Sequence, residues 1–144
     1  MKFLILLFFI HSPLIGHENT DLIDSKVVEE RMTSMQKLNK LMSLANKKIK
    51  KSQLDDETVE IFSKIEHIFI DYPSLFPDDS FQGVTKASTD IIDNRDVFNA
   101  LANEHAINAG LAIESVKAED IDQLKIYFNN LYSSCKSCHS RFRN

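Results

Sequence analysis

The 144-residue sequence is short of everything that breaks a helix, with three glycines, three prolines and no tryptophan. Pro13 and Gly16 lie near the start, so Pro73, Pro77, Gly83 and Gly110 punctuate all the rest. A sandwich or barrel of short strands needs turn residues about every 8–12 positions. That supply is missing, which argues against an all-β fold and for long helices. Positive charge is also scarce, with 17 Lys+Arg against 21 Asp+Glu and a formal net charge of −4. The one basic run is residues 47–51. A solvated helix end favoured by the helix dipole explains it better than a nucleic-acid groove does. No nucleic-acid partner is expected.

What is present fits one folded domain, with 43% apolar and 26% charged residues. Residues 1–16 read as a secretory signal peptide. Lys2 supplies the positive start, residues 3–10 an apolar core too short to span a bilayer, and Gly16 a small residue for cleavage. No cysteine lies nearby, which excludes a lipoprotein anchor. No other segment approaches eighteen consecutive apolar residues, so no stable membrane insertion is expected after signal removal. The expected domain is residues 17–144, exported to the periplasm.

Four apolar stripes at helical spacing follow. The first runs from Asp21 to about Lys50 and carries Met35, Leu38, Leu41, Met42, Ala45 and Ile49. The second starts at the acidic residues 55–57, carries Val59, Phe62, Ile65, Phe69 and Tyr72, and stops at Pro73. An irregular connection over residues 73–83 comes next. The third helix is expected to start around Asp90–Asp93, carrying Phe98, Ala102, His105, Ala109 and Val116. After a short junction at 118–120, the fourth carries Ile121, Leu124, Phe128, Leu131, Cys135, Cys138 and Phe142. The fold class is therefore all-α, an antiparallel four-helix bundle. Gly110, inside the third helix, suggests either close approach of a backbone or flat ligand, or a tolerated defect. His67 and His105 read as solvated or core-edge residues.

The motif that carries chemistry is Cys135-Lys136-Ser137-Cys138-His139, the C-x-x-C-H attachment signature of haem c. On a helix the two cysteines share one face, so both thiols can add to the vinyl groups on one porphyrin edge. His139 then lies within reach of the iron as proximal ligand. Competing uses fit less well. A disulfide between residues three apart closes a trivial loop. A thioredoxin-like pair wants a βαβ context, and zinc needs ligands that the chain supplies only as distant histidines.

A C-x-x-C-H at the end of a bundle resembles the class II c-type cytochromes, the cytochrome c-prime family with its low-spin His/Met-ligated branch. The resemblance covers nearly all of residues 17–144. It rests on the ending 135–143, on Leu75-Phe76-Pro77-Asp78-Asp79-Ser80, and on Arg31-Met32-Thr33-Ser34-Met35. One departure is the missing Trp after the Phe-Pro segment, a space that Ile91 and Ile92 are expected to fill. The resemblance implies one covalent haem c, with Arg31 beside a propionate and Met35, one turn on, facing the distal side of the iron. Arg143 matches the family's C-terminal arginine beside the haem. The bland reading of Arg31 is a surface partner for Glu29 or Glu30, and that of Arg143 is a cation favoured in a last helical turn. Met32 is turned about 60° away from Met35 by helical periodicity, and Met42 lies two turns further along.

The function expected on this reading is one-electron transfer to redox partner proteins by a non-enzymatic monohaem carrier, with iron ligated by His139 and Met35. The alternative is a five-coordinate cytochrome c-prime that binds nitric oxide or carbon monoxide distally. A haemless helical interaction protein would require the motif to be coincidental. The resemblance also makes a homodimer through the first two helices plausible, and residues 47–51 a candidate docking patch for an acidic partner.

Overall fold

A computed structural model describes the backbone from residue 18 and the side chains from residue 26, so the expected signal peptide lies outside the described residues. Four long helices dominate it: α1 (Glu18–Lys50), α2 (Asp56–Asp71), α4 (Arg95–Lys117) and α5 (Ile121–Phe142). A 3-10 turn (Tyr72–Leu75) and the four-residue helix α3 (Asp90–Asp93) interrupt the long connection between α2 and α4. Helix α1 packs on α2, α2 on α4, and α4 on α5, which closes back on α1. Among the described residues the isolated β-bridges amount to one, between Ala87 and Arg143. No described helix is long and apolar enough to cross a membrane.

The helix boundaries have local causes. Asp55 caps α2, accepting from the Thr58 amide at 2.9 Å, and Asp120 caps α5 through the amides of Asp122 and Gln123. Helix α1 ends with three lysines in its last turn, where the dipole favours them. Ser52 and Glu119 take left-handed conformations (φ 51° and 55°) just beyond α1 and α4. The amides of Gln53 and Asp120 turn back to the carbonyls of Lys48 and Ser115. These tight joins define one end of the bundle. At the other end lie the start of α4, the close of α2 and α5, and residues 72–94.

The expected third helix is split. At Asn94 (φ −124°, ψ 37°) the chain leaves helical geometry between α3 and α4. The Asn94 side chain donates to the Asp90 carbonyl at 3.0 Å and its Oδ1 accepts from Arg141 at 2.9 Å. Such side-chain bonds compete with helix continuation. The irregular connection also runs on past Gly83 to Thr89, because residues 86–88 pair with the C-terminus. Ser88 N–H donates to the Phe142 carbonyl and Asn144 N–H to the Lys86 carbonyl, each at 2.9 Å.

Two apolar clusters hold the bundle. The larger gathers all four long helices around Leu38, Ala45, Phe62, Ile65, Ala109, Leu124, Phe128 and Leu131. The smaller sits at the loop end and joins Phe76, Ile91, Phe98 and Phe142. Gly110 meets no neighbouring backbone. A Cβ there would stand 2.9 Å from Oε1 of Glu66 on α2, so the glycine makes room for a flexible carboxylate.

Two outcomes test this account. Gly110→Ala removes the roughly 1 kcal/mol helix penalty of glycine at the expense of a small swing of the Glu66 side chain, so thermal melts should show a higher Tm. Lys48 bonds both Asp55 and Glu57, and with Thr58 it lowers the Asp55 carboxyl to about 2 from 3.8. A depressed folded pKa contributes stability above the unfolded value and loses it as the pH falls through the folded one. Asp55→Ala should therefore lower Tm at neutral pH, and the gap to wild type should narrow between pH 3.8 and about 2.

Candidate functional site

Helix α5 brings the expected cofactor residues to the loop end of the bundle. Cys135 and Cys138 are one turn apart on a shared face, both half-buried and both free thiols. Cys138 packs against the smaller aromatic cluster, and Cys135 Sγ lies 3.2 Å from the Leu131 carbonyl. Burial pushes both thiols above the ordinary cysteine range, with Cys135 adding to the shift at Cys138. The His139 imidazole is held below the usual histidine range by partial desolvation against the bundle, and then by the charges of Arg143 and His105. It is thus neutral at physiological pH, the form that ligates iron. No hydrogen bond engages either of its ring nitrogens. Among the described residues no group of three or more His, Cys, Asp or Glu could hold a metal ion, so the zinc reading lacks its ligands. Two thiols one turn apart with an adjacent neutral imidazole fit a haem c.

Around these residues stands an aromatic wall. Phe76 and Phe98 meet edge to face at 4.8 Å, Phe98 and Phe142 at 5.4 Å, and Tyr72 and Phe76 at 5.0 Å. Leu75, Phe81 and Leu101 pack onto the same cluster. Burial first, and then Cys138, lift the Tyr72 phenol to about 12 against the opposing charges of Arg31 and Arg143. The phenol therefore lies in the field of three residues singled out in the sequence. Ile91 is buried in the cluster at 1% exposure, whereas Ile92 points outward at 37%. Of the two, Ile91 alone packs into the cluster.

Arg31 is no surface partner for Glu29 or Glu30. It is 4% exposed, and its Nε donates to the Leu75 carbonyl at 2.6 Å while one terminal nitrogen donates to the Ser80 carbonyl at 2.9 Å. The other terminal nitrogen bonds the Ser80 hydroxyl. The guanidinium also lies 4.2 Å from the centre of the Phe76 ring and 5.2 Å from that of Phe81. Arg31 thus fastens the loop to α1 at the edge of the site. Arg143 is exposed, its backbone engaged in the bridge to Ala87. Met35, half-buried, packs against the main cluster. Met42 does so two turns further along, and Met32 is 56% exposed and points away.

Sequence reasoning undervalued His105. It is no core-edge residue: exposed by only 2%, its ring lies 4.4 Å from that of Phe69, and Nδ1 is 2.5 Å from the Leu101 carbonyl. The signal was its place on the apolar stripe between Ala102 and Ala109. His67, by contrast, is exposed as expected. In the basic run, Lys48 is occupied by Asp55 and Glu57, which weakens that run as a docking patch.

Comparison with known proteins agrees with this geometry. The family model described as Cytochrome C' matches residues 26–143. Cytochrome c prime from Shewanella frigidimarina superposes with a TM-score of 0.74 at 20% identity, covering 84% of this chain and 96% of that one. A cytochrome c' with an unusual ligand-controlled dimer dissociation superposes at 0.75 and 17% identity, over 83% of this chain and 95% of its own. A nitric oxide complex of a variant of cytochrome c prime from Alcaligenes xylosoxidans does so at 0.73 and 16%, over 84% and 96%. No curated protein matches the sequence. At these identities the solved structures establish the four-helix bundle. The family match spans most of the chain and establishes more: this protein belongs to the cytochrome c' family, whose members carry covalently bound haem c.

Proposed function

We propose that this chain is a periplasmic five-coordinate cytochrome c' that binds nitric oxide or carbon monoxide on the distal side of its haem. The gas-binding reading thus takes precedence over a His/Met-ligated electron carrier. The observation that carries it is the match of residues 26–143 to the cytochrome c' family, whose solved relatives include a nitric oxide complex. Met35, half-buried against the main apolar cluster, fits a wall residue of such a site. Haem supplies reversible one-electron chemistry and an open coordination position for a diatomic ligand.

The chain's own residues do the rest. Cys135 and Cys138 would hold the haem on α5 through their thiols. His139 would supply a neutral imidazole to the iron. Phe76, Phe98 and Phe142 would exclude water from the haem and keep the local dielectric low, while Arg31 would set positive charge toward a propionate and Arg143 beside the haem. Met35 would limit the space open to a bound gas. A relative whose dimer dissociates under ligand control supports a homodimer here. Met32 on α1 and Ile70 on α2, 56% and 60% exposed, are apolar side chains available on the first two helices.

Denaturing mass spectrometry should show the mature chain plus one haem, and acid-acetone should leave the pigment in the protein. Replacing both Cys135 and Cys138 by Ala should abolish maturation; freely extractable haem in the wild type would refute the thioether assignment. At neutral pH the spectrum should be high-spin, and Met35→Leu should leave the spin state unchanged while altering the carbon monoxide affinity. A low-spin wild type that Met35→Ala converts to high-spin would instead restore the His/Met electron carrier.

A further inference from the structure

Between Glu30 and Asp55 the chain carries no acidic residue, yet it holds seven of the 17 lysines and arginines. Two of the seven are spent inside the molecule, Arg31 on the loop and Lys48 on Asp55 and Glu57. The other five, Lys37, Lys40, Lys47, Lys50 and Lys51, are exposed, and among the described residues none of them is in an ion pair. Elsewhere Lys26, Lys64, Lys117 and Lys125 each face a carboxylate three or four positions away. The helix dipole accounts for lysines in the last turn of α1. It decays before Lys37 and Lys40, which stand about two turns or more further back.

Helical register gathers the free lysines on one face. At about 100° per residue, Lys37, Lys40, Leu44 and Lys47 fall within an arc of about 80°, with Lys50 beside them. Leu38, Leu41, Ala45 and Ile49 occupy the opposite, buried side. From Lys37 to Lys51 the row spans roughly 20 Å at about 1.5 Å per residue. Leu44 lies within it, 44% exposed.

What such a face suits follows from what it lacks. Residues 32–54 contain no aromatic side chain and no arginine. Those are the types that protein interfaces concentrate, whereas lysine is depleted there. A second copy fits no better, because a two-fold contact on this row would set lysine against lysine. Flexible point charges spread along one helix match a flat, diffuse layer of negative charge. The remainder of the chain is strongly acidic, since the whole carries a net −4. Approach to such a layer is therefore favourable in one orientation, with α1 toward it.

We infer that the outer face of α1, from Lys37 to Lys51, docks this protein on anionic phospholipid headgroups. The contact is peripheral and inserts no helix. The apolar stripe of α1 is buried in the bundle, so attraction between charges carries the binding and salt weakens it. The row runs into the tight join between α1 and α2, whereas Cys135, Cys138 and His139 stand toward the loop end. Docking thus leaves the cofactor end clear. The inference stands whether the iron is five- or six-coordinate.

Flotation of the haem-loaded protein with lipid vesicles tests this. Vesicles of phosphatidylglycerol and phosphatidylcholine in equal parts should carry the protein at low ionic strength, and pure phosphatidylcholine should not. Binding should fall steeply above about 0.1 M salt, where the Debye length drops below about 10 Å. At roughly fivefold per lysine, Lys40→Gln combined with Lys47→Gln should weaken binding about 25-fold. Lys117→Gln combined with Lys125→Gln makes the same change of charge on α4 and α5 and should leave binding near wild type. Equal losses in the two double variants would reduce the effect to net charge and overturn the inference. Failure to float with phosphatidylglycerol would overturn it too. So would soluble polyglutamate binding as tightly as the vesicles, which would assign the row to an acidic protein instead.

Discussion

A helix that carries its chemistry in its last two turns must be kept from fraying, because the final carbonyls of any helix lack partners within it. Helix α5 meets this constraint with residues from outside itself. The Ser88 amide satisfies the Phe142 carbonyl, the Asn144 amide returns to Lys86, and the Phe142 ring lies buried among Phe76, Ile91 and Phe98. Arg141 adds a bond to Asn94 at the break between α3 and α4. Cys135, Cys138 and His139 owe their fixed directions to this clasp.

The clasp has its own support. Residues 72–89 hold α5, and Arg31 in turn holds those residues through two backbone carbonyls, a hydroxyl and two aromatic rings. Those carbonyls lie 44 and 49 positions away in sequence. A charge buried this deeply persists because its donors are used and its flat faces lie on rings. Helix α1, which carries no part of the attachment motif, thereby governs the geometry of the attachment helix.

Much of this was legible in the residue order. The spacing of Cys135, Cys138 and His139 identified the cofactor, because so few chemistries suit that arrangement on a helix. Periodicity located the helices, Asp55 and Pro73 marked the ends of α2, and the scarcity of turn residues set the fold class. What escaped depended on contacts between distant segments. Whether Arg31 faces Glu29 or a loop dozens of residues away is invisible to local pattern, as is the Glu66 carboxylate beside Gly110. The break at Asn94 escaped because an asparagine side chain can outcompete the helix when Arg141 is there to engage it. His105 sat in the apolar stripe, yet its type suggested the core edge. Burial overrode residue type once Leu101 and Phe69 gave the ring partners.

The two ends of the bundle are fastened by different means. Where α1 meets α2 and α4 meets α5, the joins are short, capped by Asp55 and Asp120 and braced by Lys48. At the cofactor end a long excursion of chain is closed by side chains and one short strand pairing. The molecule is therefore built like tweezers, with a stiff joint and tips that meet. Spreading the tips breaks a few local contacts and leaves the joint whole, whereas loosening the joint unravels the entire core. Slow amide exchange should accordingly concentrate away from the haem, and the region that does the chemistry should be the one that opens at least cost.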